Sequence, residues 1–454
     1  MSRHRTSKPG NPDLRRQMQM AGPAIEALES SLQSLLQPEA LKPIREMHQI
    51  PEKIRRDRLL TLPVMLAVVL GLIYRKVAGL GEMSRMLWSE GLFWVEPLQV
   101  SRQALSKRLM TMPVRFFADI FDQVIANLSA KPAAPSSLDG WATLNEEFTA
   151  IWIADGSTLE ELRKRLKILK GEGTLLAGRM MVMVDLLTHR PVASWYTEQS
   201  TVHDQNWLSP LIERLPKGGL MVFDLGFFKF PWFDQFTEEG KYFVTRQREK
   251  TAYTVKQVLS SGSHYRDEII QMGKYRSNPC KHPVRMVSIL WGGSWQCYLT
   301  NVLSPEKVSA PQVCNLYRRR WRIEDAFFLT KRLLGLAYIW VGNSNGVQIQ
   351  IYGTWIFYAL INDLCGDIAV ALNQPLEIIS FEMVFRGLYH FNNFHQRGEA
   401  DDVIEFFKTH AKRLGILKAK RPRHRQREQH SDLVWSDFTQ GKRIRFLTHY
   451  ICGE

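Results

Sequence analysis

Apolar and polar positions change rhythm along the chain, and the changes mark its organisation. From Leu59 to Leu128 apolar residues recur at helical spacing, broken by Gly79, Gly81 and Pro97. Within this region VSRQALSKRLMTMP, residues 100–113, predicts a short helix with Ser101 as N-cap. Ala104, Leu105 and Leu109 form its apolar back, and Arg102, Gln103, Ser106, Lys107 and Arg108 a polar, basic front. AKPAAPSS, residues 130–137, reads as a linker, and beyond it the pattern becomes strand-like. FTAIWIADGS, LAGRMMVMVDLLT, VASWYTEQ and GGLMVFDLGFF are short apolar runs bounded by Gly, Asp and Pro, as expected of strands in a buried sheet. THRP supplies a hairpin turn between the second and third, and NWLSPLIERL predicts a helix over about 204–215.

From Tyr242 to Leu303 more strands are expected, with KYFVTRQREKTAYTV, VRMVSILW and WQCYLTNVL the clearest. Helices resume at YRRRWRIEDAFFLTKRLLGL, residues 317–336, and continue through VQIQIYGTWIFYALINDLCGDIAVAL; one more is expected at 24–36. Helices, strands, extra strands and helices again predict a mixed α/β protein with an inserted β region. The expected segments are a helical 1–137, a core in two parts at 138–235 and 306–395, the β insertion at 236–305, and a basic 396–454.

An apolar content of 45% with 23% charged residues excludes wholesale disorder for this 454-residue chain. Charge narrows the partner: 60 Lys and Arg against 45 Asp and Glu leave a formal +15 and a pI near 9.6, which favours a polyanion. Nucleic acid leads and an anionic membrane competes. The one apolar run that competes for a membrane role, LLTLPVMLAVVLGLIY at 59–74, is short for a span and contains Pro63, so a buried helix is expected. Five scattered cysteines form no CxxC and no zinc spacing, which suits a reducing cytoplasm. The front of 100–113 has what a helix entering the major groove needs, although any solvated helix shares the pattern. Residues 408–427, rich in Lys and Arg without an acid, are expected to be solvated or to face nucleic acid.

Wound as one α-helix, 317–336 puts Tyr317, Arg320, Glu324 and Lys331 within an arc of about 60°. That stripe suits either a surface helix laced with ion pairs or a metal-binding glutamate flanked by phosphate-holding cations. A metal site needs more carboxylates. Asp155 in IWIADGS and Asp224 in MVFDLGF each interrupt an apolar strand close to a glycine, where an unpaired acid is costly. Asp185 in MVMVDLLT is a decoy expected to face solvent.

Tyr317, Arg320, Glu324 and Lys331, with two, three and six residues between successive members, match the Tyr-Arg-Glu-Lys signature of the insertion sequence four family of bacterial DDE transposases. ADGSTLEEL and VFDLGFFKFPWFDQFTEEGKYFVTR resemble that family's first and second catalytic blocks, and the likeness covers roughly 57–395. It implies an RNase H-like core with an N-terminal helical DNA-binding domain. Asp155, Asp224 and Glu324 would hold two Mg²⁺, with Mn²⁺ as a substitute, for phosphodiester cleavage and strand transfer. Tyr317, Arg320, Lys331, Arg246 and Arg248 would contact phosphates, and Trp295 or Trp291 would stack a flipped base. Arg102, Lys107 and Arg108 would take part in recognising terminal inverted repeats. The implied partners are transposon-end and target DNA and a second copy of the chain, with no membrane, in a bacterial cytoplasm at the nucleoid. A repressor without catalysis and a nuclease on the same fold are the competing functions.

Overall fold

A computed structural model describes residues 59–418, apart from 78, 132–133, 135–140, 160–177, 292 and 337–338. The helix expected at 24–36 and most of the basic tail lie outside the described residues. The elements, in order, begin with helices α1 (Leu62–Tyr74), α2 (Leu80–Ser89), α3 (Arg102–Thr111), α4 (Val114–Ser129) and α5 (Trp141–Glu147). Strands β1 (Ile151–Thr158), β2 (Arg179–Asp185) and β3 (Pro191–Thr197) follow, then a 3₁₀ turn at Asp204–Trp207 and α6 (Leu208–Arg214). Next come β4 (Leu220–Phe223), a 3₁₀ turn at Leu225–Phe227, α7 (Phe230–Glu238), β5 (Tyr242–Arg246), β6 (Tyr253–Ser261), β7 (Tyr265–Met272), β8 (Val284–Trp291) and β9 (Ser294–Thr300). The chain closes with α8 (Ala310–Arg318), α9 (Arg322–Phe328), α10 (Ser344–Ala371), α11 (Phe381–Gln396) and α12 (Val403–His410).

The chain divides into two compact units. One takes in the described residues up to 135 with 158–178 and 327–417, so the helices before the linker share a unit with α10, α11 and α12. Its axis is α10, started by Asn343, whose side chain accepts from the Gly346 amide at 2.9 Å. This helix is apolar on nearly every side because α1, α3, α4, α11 and α12 all pack on it. It is the one described helix long and apolar enough to cross a membrane, and it is mostly buried inside this unit. The shorter apolar helix α1 is buried too, as its pattern predicts: from Met65 through Ile73 every residue is 2% exposed or less where an apolar value is given.

The second unit, built on residues 136–157 and 179–326, holds a sheet in the order β3-β2-β1-β4-β5-β9-β8-β7-β6. Strands β1, β4 and β5 run parallel, and β9 pairs antiparallel with β5, so the inserted strands extend this sheet. KYFVTRQREKTAYTV is two strands: the exposed Arg248, Glu249 and Lys250 turn between β5 and β6, with Lys250 at φ +59°. Phe223 of β4 packs against Phe227, Trp232, Phe233, Phe236 and Phe243, an aromatic core that anchors the end of β4.

Asp185 does not face solvent as expected. Its Oδ1 accepts from the amides of Leu187 at 3.0 Å and Thr188 at 2.8 Å and from the Thr188 hydroxyl at 2.9 Å, and so holds the β2–β3 turn. In the inserted strands, Arg285 on β8 is fully buried and clamps Asp267 on β7 through two bonds of 2.7 Å while donating to the Val308 carbonyl at 2.6 Å. Removing one partner leaves a buried charge. Arg285→Met is expected to cost about 3–5 kcal/mol in chemical denaturation, and Arg285→Met with Asp267→Leu to recover most of it. Equal losses in the single and double variants would contradict this account of the pair.

Candidate active site

Sheet register is what brings the first two acids together. In the parallel β1–β4 pair, Ala154 lies opposite Phe223. The next residues are Asp155, still within β1, and Asp224, just past β4, so the two acids stand at the same level. Asp155 Oδ1 accepts from the Gly156 amide at 2.8 Å, and its Oδ2 accepts from Arg320 Nη1 at 2.7 Å. Asp224 Oδ1 accepts from the Tyr317 hydroxyl at 3.0 Å. Glu324 Oε1 stands 3.7 Å from the same Arg320 nitrogen, with its side chain half-exposed.

The segment that supplies Tyr317, Arg320 and Glu324 is not one straight α-helix. Helix α8 starts behind Ser309, whose backbone amide donates to Gln312 Oε1 at 2.8 Å, a capping-box arrangement with Pro311 in the first turn. It tightens to 3₁₀ at Arg319–Trp321, resumes as α9 and widens to a π turn at Leu329–Leu333. A 3₁₀ turn advances about 120° per residue, so the α-helical wheel overstates the shared stripe. Tyr317 and Arg320 still reach the two aspartates because the 3₁₀ turn carries Arg320 inward, where it is 5% exposed. Lys331 falls in the π turn, and its ammonium donates to the Thr158 carbonyl of β1 at 2.6 Å.

Burial is the first cause that pushes the Asp155 carboxyl up, to about 7. Glu324 and Asp224 push the same way, while Arg320 and the Gly156 amide oppose them. Burial, with Asp224 beside it, likewise holds the Tyr317 hydroxyl above its ordinary value, so it donates as a neutral phenol. Arg320 Nε–H is buried and finds no acceptor among the described residues, and the guanidinium stacks 4.8 Å from the Trp321 ring.

A hard divalent cation, which the resemblance implies, suits a set of three carboxylates. As the side chains stand, no three acidic, His or Cys groups among the described residues are gathered tightly enough to hold an ion. Arg320 is on Asp155 and Tyr317 on Asp224, and release of those bonds is what the donor set would need. The chemistry fits, with Arg320 as the cation that now answers the acids.

Among the remaining expected contacts, Arg246 ends β5 with its guanidinium on Gln296, and Arg248 is exposed in the following turn. Trp295 on β9 is 40% exposed under the Arg266 guanidinium at 5.1 Å, while Trp291 is covered by Arg318 at 5.0 Å. On α3, Ser101 caps through the Ala104 amide at 3.1 Å, and Arg102 and Lys107 are exposed. Arg108 is half-buried, and its Nε donates to the Leu60 carbonyl at 3.1 Å. A pair the sequence pattern did not mark is Arg179 with Asp204, joined by a charged hydrogen bond beside the two aspartates' glycines. No local spacing signals it, because the partners lie on different elements.

Residues 154–360 match the family described as the transposase DDE domain. The chain is 24% identical over 303 residues to "Putative transposase y4zB" of Sinorhizobium fredii, across 64% of this chain and 79% of that one. It is 25% identical over 167 residues to "Probable transposase for insertion sequence element IS5377" of Geobacillus stearothermophilus, across 36% of this chain and 44% of that one. A piggyBac transposase solved as a synaptic complex with hairpin DNA aligns over 91% of this chain and 87% of its own, at 12% identity and a TM-score of 0.41. The domain match and the transposase relatives support a DDE transposase family.

Proton linkage gives a test of the acid cluster. The folded chain holds a proton on Asp155 over a window in which the unfolded chain, with a carboxyl near 3.8, has released it. Its contribution to stability is therefore complete below that value and is lost as the pH rises through about 7. In chelator, wild-type melting temperatures are expected to fall across this window relative to Asp155→Asn. Parallel profiles for the two proteins would count against the raised carboxyl.

Proposed function

We propose that this chain is a DNA transposase of the insertion sequence four family, which binds terminal inverted repeats, excises its element by cut-and-paste and joins it to target DNA. The observation that carries the reading is the meeting of Asp155, Asp224, Tyr317, Arg320 and Glu324 at the end of the parallel β1–β4 pair. The five-strand order β3-β2-β1-β4-β5 supports an RNase H-like core, with Asp155 within its first strand and Asp224 just past the end of its fourth. Residues 1–137 are then the helical DNA-binding region, 138–235 and 306–395 the core, 236–305 the β insertion and 396–454 a basic extension.

Two Mg²⁺, replaceable by Mn²⁺ and held by Asp155, Asp224 and Glu324, would supply an activated water or 3′ hydroxyl and stabilise the leaving oxygen of an in-line displacement. The chain's own groups do the rest. Arg320 is poised to exchange its carboxylate for a phosphate, with a planar fork suited to bidentate contact and an Nε–H already lacking an acceptor among the described residues. Tyr317 donates a neutral hydroxyl, and Lys331, Arg246 and Arg248 add cations for the backbone. The exposed Trp295, already stacked by a cation, is the better of the two tryptophans for a flipped base. Arg102 and Lys107 would read or hold the end DNA from α3. A homodimer on paired ends, acting at the nucleoid of a bacterial cytoplasm, completes the proposal.

Supercoiled DNA carrying the element's own ends, incubated with the protein and Mg²⁺, is expected to give cleaved and joined products. Cleavage without joining would mean a nuclease, and binding without nicks a repressor. Asp155→Ala, Asp224→Ala and Glu324→Ala are each expected to abolish cleavage with end binding intact, measured by gel shift. Wild-type cleavage in any one would remove that residue from the site. Arg102→Ala or Lys107→Ala is expected to lower the salt slope of end binding by about 1; an unchanged slope would take that side chain off the phosphates.

A further inference from the structure

The β1–β4 ladder ends at Ala154 and Phe223, one residue short of both aspartates. Past that point β1 continues to Thr158 while the chain after β4 turns into a 3₁₀ segment. Strand pairing therefore brings Asp155 and Asp224 together without reaching the glycines that follow them. Gly156 still lies within β1, beside β2, whereas Gly226 lies in the 3₁₀ turn after β4, off the sheet.

We propose that Asp204, held by Arg179, is a positioning residue of the active site, a wedge whose two carboxylate oxygens fix the glycine-bearing segments that follow Asp155 and Asp224. A Cβ at Gly156 would stand 2.7 Å from Asp204 Oδ1 and 3.0 Å from Arg179 Nε. A Cβ at Gly226 would stand 2.6 Å from Asp204 Oδ2. One oxygen thus abuts the residue next to Asp155, and the other abuts the residue two beyond Asp224. Neither glycine has a positive φ, so close approach and not a left-handed turn is what requires them.

The wedge is itself fixed. Asp204 opens the 3₁₀ turn before α6, and Arg179, the first residue of β2, donates Nη2 to its Oδ1, with both side chains about four-fifths buried. A part-buried ion pair resists movement of either member, because separation leaves an uncompensated charge. Arg179 thus ties the wedge to the strand that neighbours β1 in the sheet. The inference rests on Asp155 and Asp224 being the metal-binding acids of the proposed transposase, since what the wedge sets is their spacing.

The test uses the full chain and Mn²⁺ as probe, with binding followed by electron paramagnetic resonance without DNA, alongside cleavage of end DNA, gel shift and thermal melting. Asp204→Ala is expected to weaken Mn²⁺ binding and raise the Mn²⁺ needed for cleavage about 10- to 100-fold, with end binding unchanged. Asp204→Asn keeps the shape and is expected to restore most of the loss, which also covers the case in which the alanine variant fails to fold. Gly226→Ala is expected to be severe alone, and Asp204→Ala with Gly226→Ala to be less severe than Gly226→Ala, because the methyl enters the vacated space. The proposal is overturned if Asp204→Ala binds Mn²⁺ like wild type, or if the double variant loses the product of the two single losses. Asp155→Ala separates the two ideas: retained Mn²⁺ binding and cleavage there would sink the active-site reading itself.

Discussion

Parallel pairing of β1 with β4 is the constraint from which the candidate site follows. Residues far apart in the chain, Ala154 and Phe223, are set opposite each other, and the acids that follow them emerge together. The aromatic cluster around Phe223 explains why β4 can end so abruptly without fraying: its last residue is anchored by Phe227, Trp232, Phe233, Phe236 and Phe243. Burial that secures the strand also takes Asp155 largely out of water. The electrostatic character of the site is thus a by-product of the packing beneath it.

Three carboxylates gathered this closely favour a cation among them, and the chain supplies one. Arg320 reaches Asp155 at 2.7 Å and stands 3.7 Å from Glu324, delivered by the 3₁₀ turn between α8 and α9. An arginine so placed stabilises the acids before any ion or DNA arrives, and its bond to Asp155 is the contact that ion binding would have to exchange. Net positive charge over the chain supports the same economy of contacts on a polyanion, through exposed groups such as Arg102, Lys107 and Arg248.

Much of this was legible in the sequence, for physical reasons that differ by element. β1, β2 and β4 announce themselves because strands buried on both faces must be continuous apolar runs, and an aspartate interrupting such a run stands out. β7 did not, since YRDEIIQM carries Asp267, whose burial makes sense only with Arg285 from another strand. The 317–336 segment was readable by residue type and not by shape: a uniform wheel cannot anticipate a 3₁₀ turn followed by a π turn. Asp185 was misread because its partners are the backbone amides of its own turn, and the bond from Arg108 to the Leu60 carbonyl was invisible because the acceptor lies on another segment. The Arg179–Asp204 pair was invisible for the same reason, although the glycines beside the two aspartates were noticed.

Crystals soaked in Mn²⁺ and measured at its absorption edge would address the central claim directly. Anomalous density is expected at the carboxylates of Asp155 and Asp224, with Arg320 released from Asp155 and Glu324 turned toward them. Mn²⁺ bound elsewhere, with Arg320 still on Asp155, would contradict that claim.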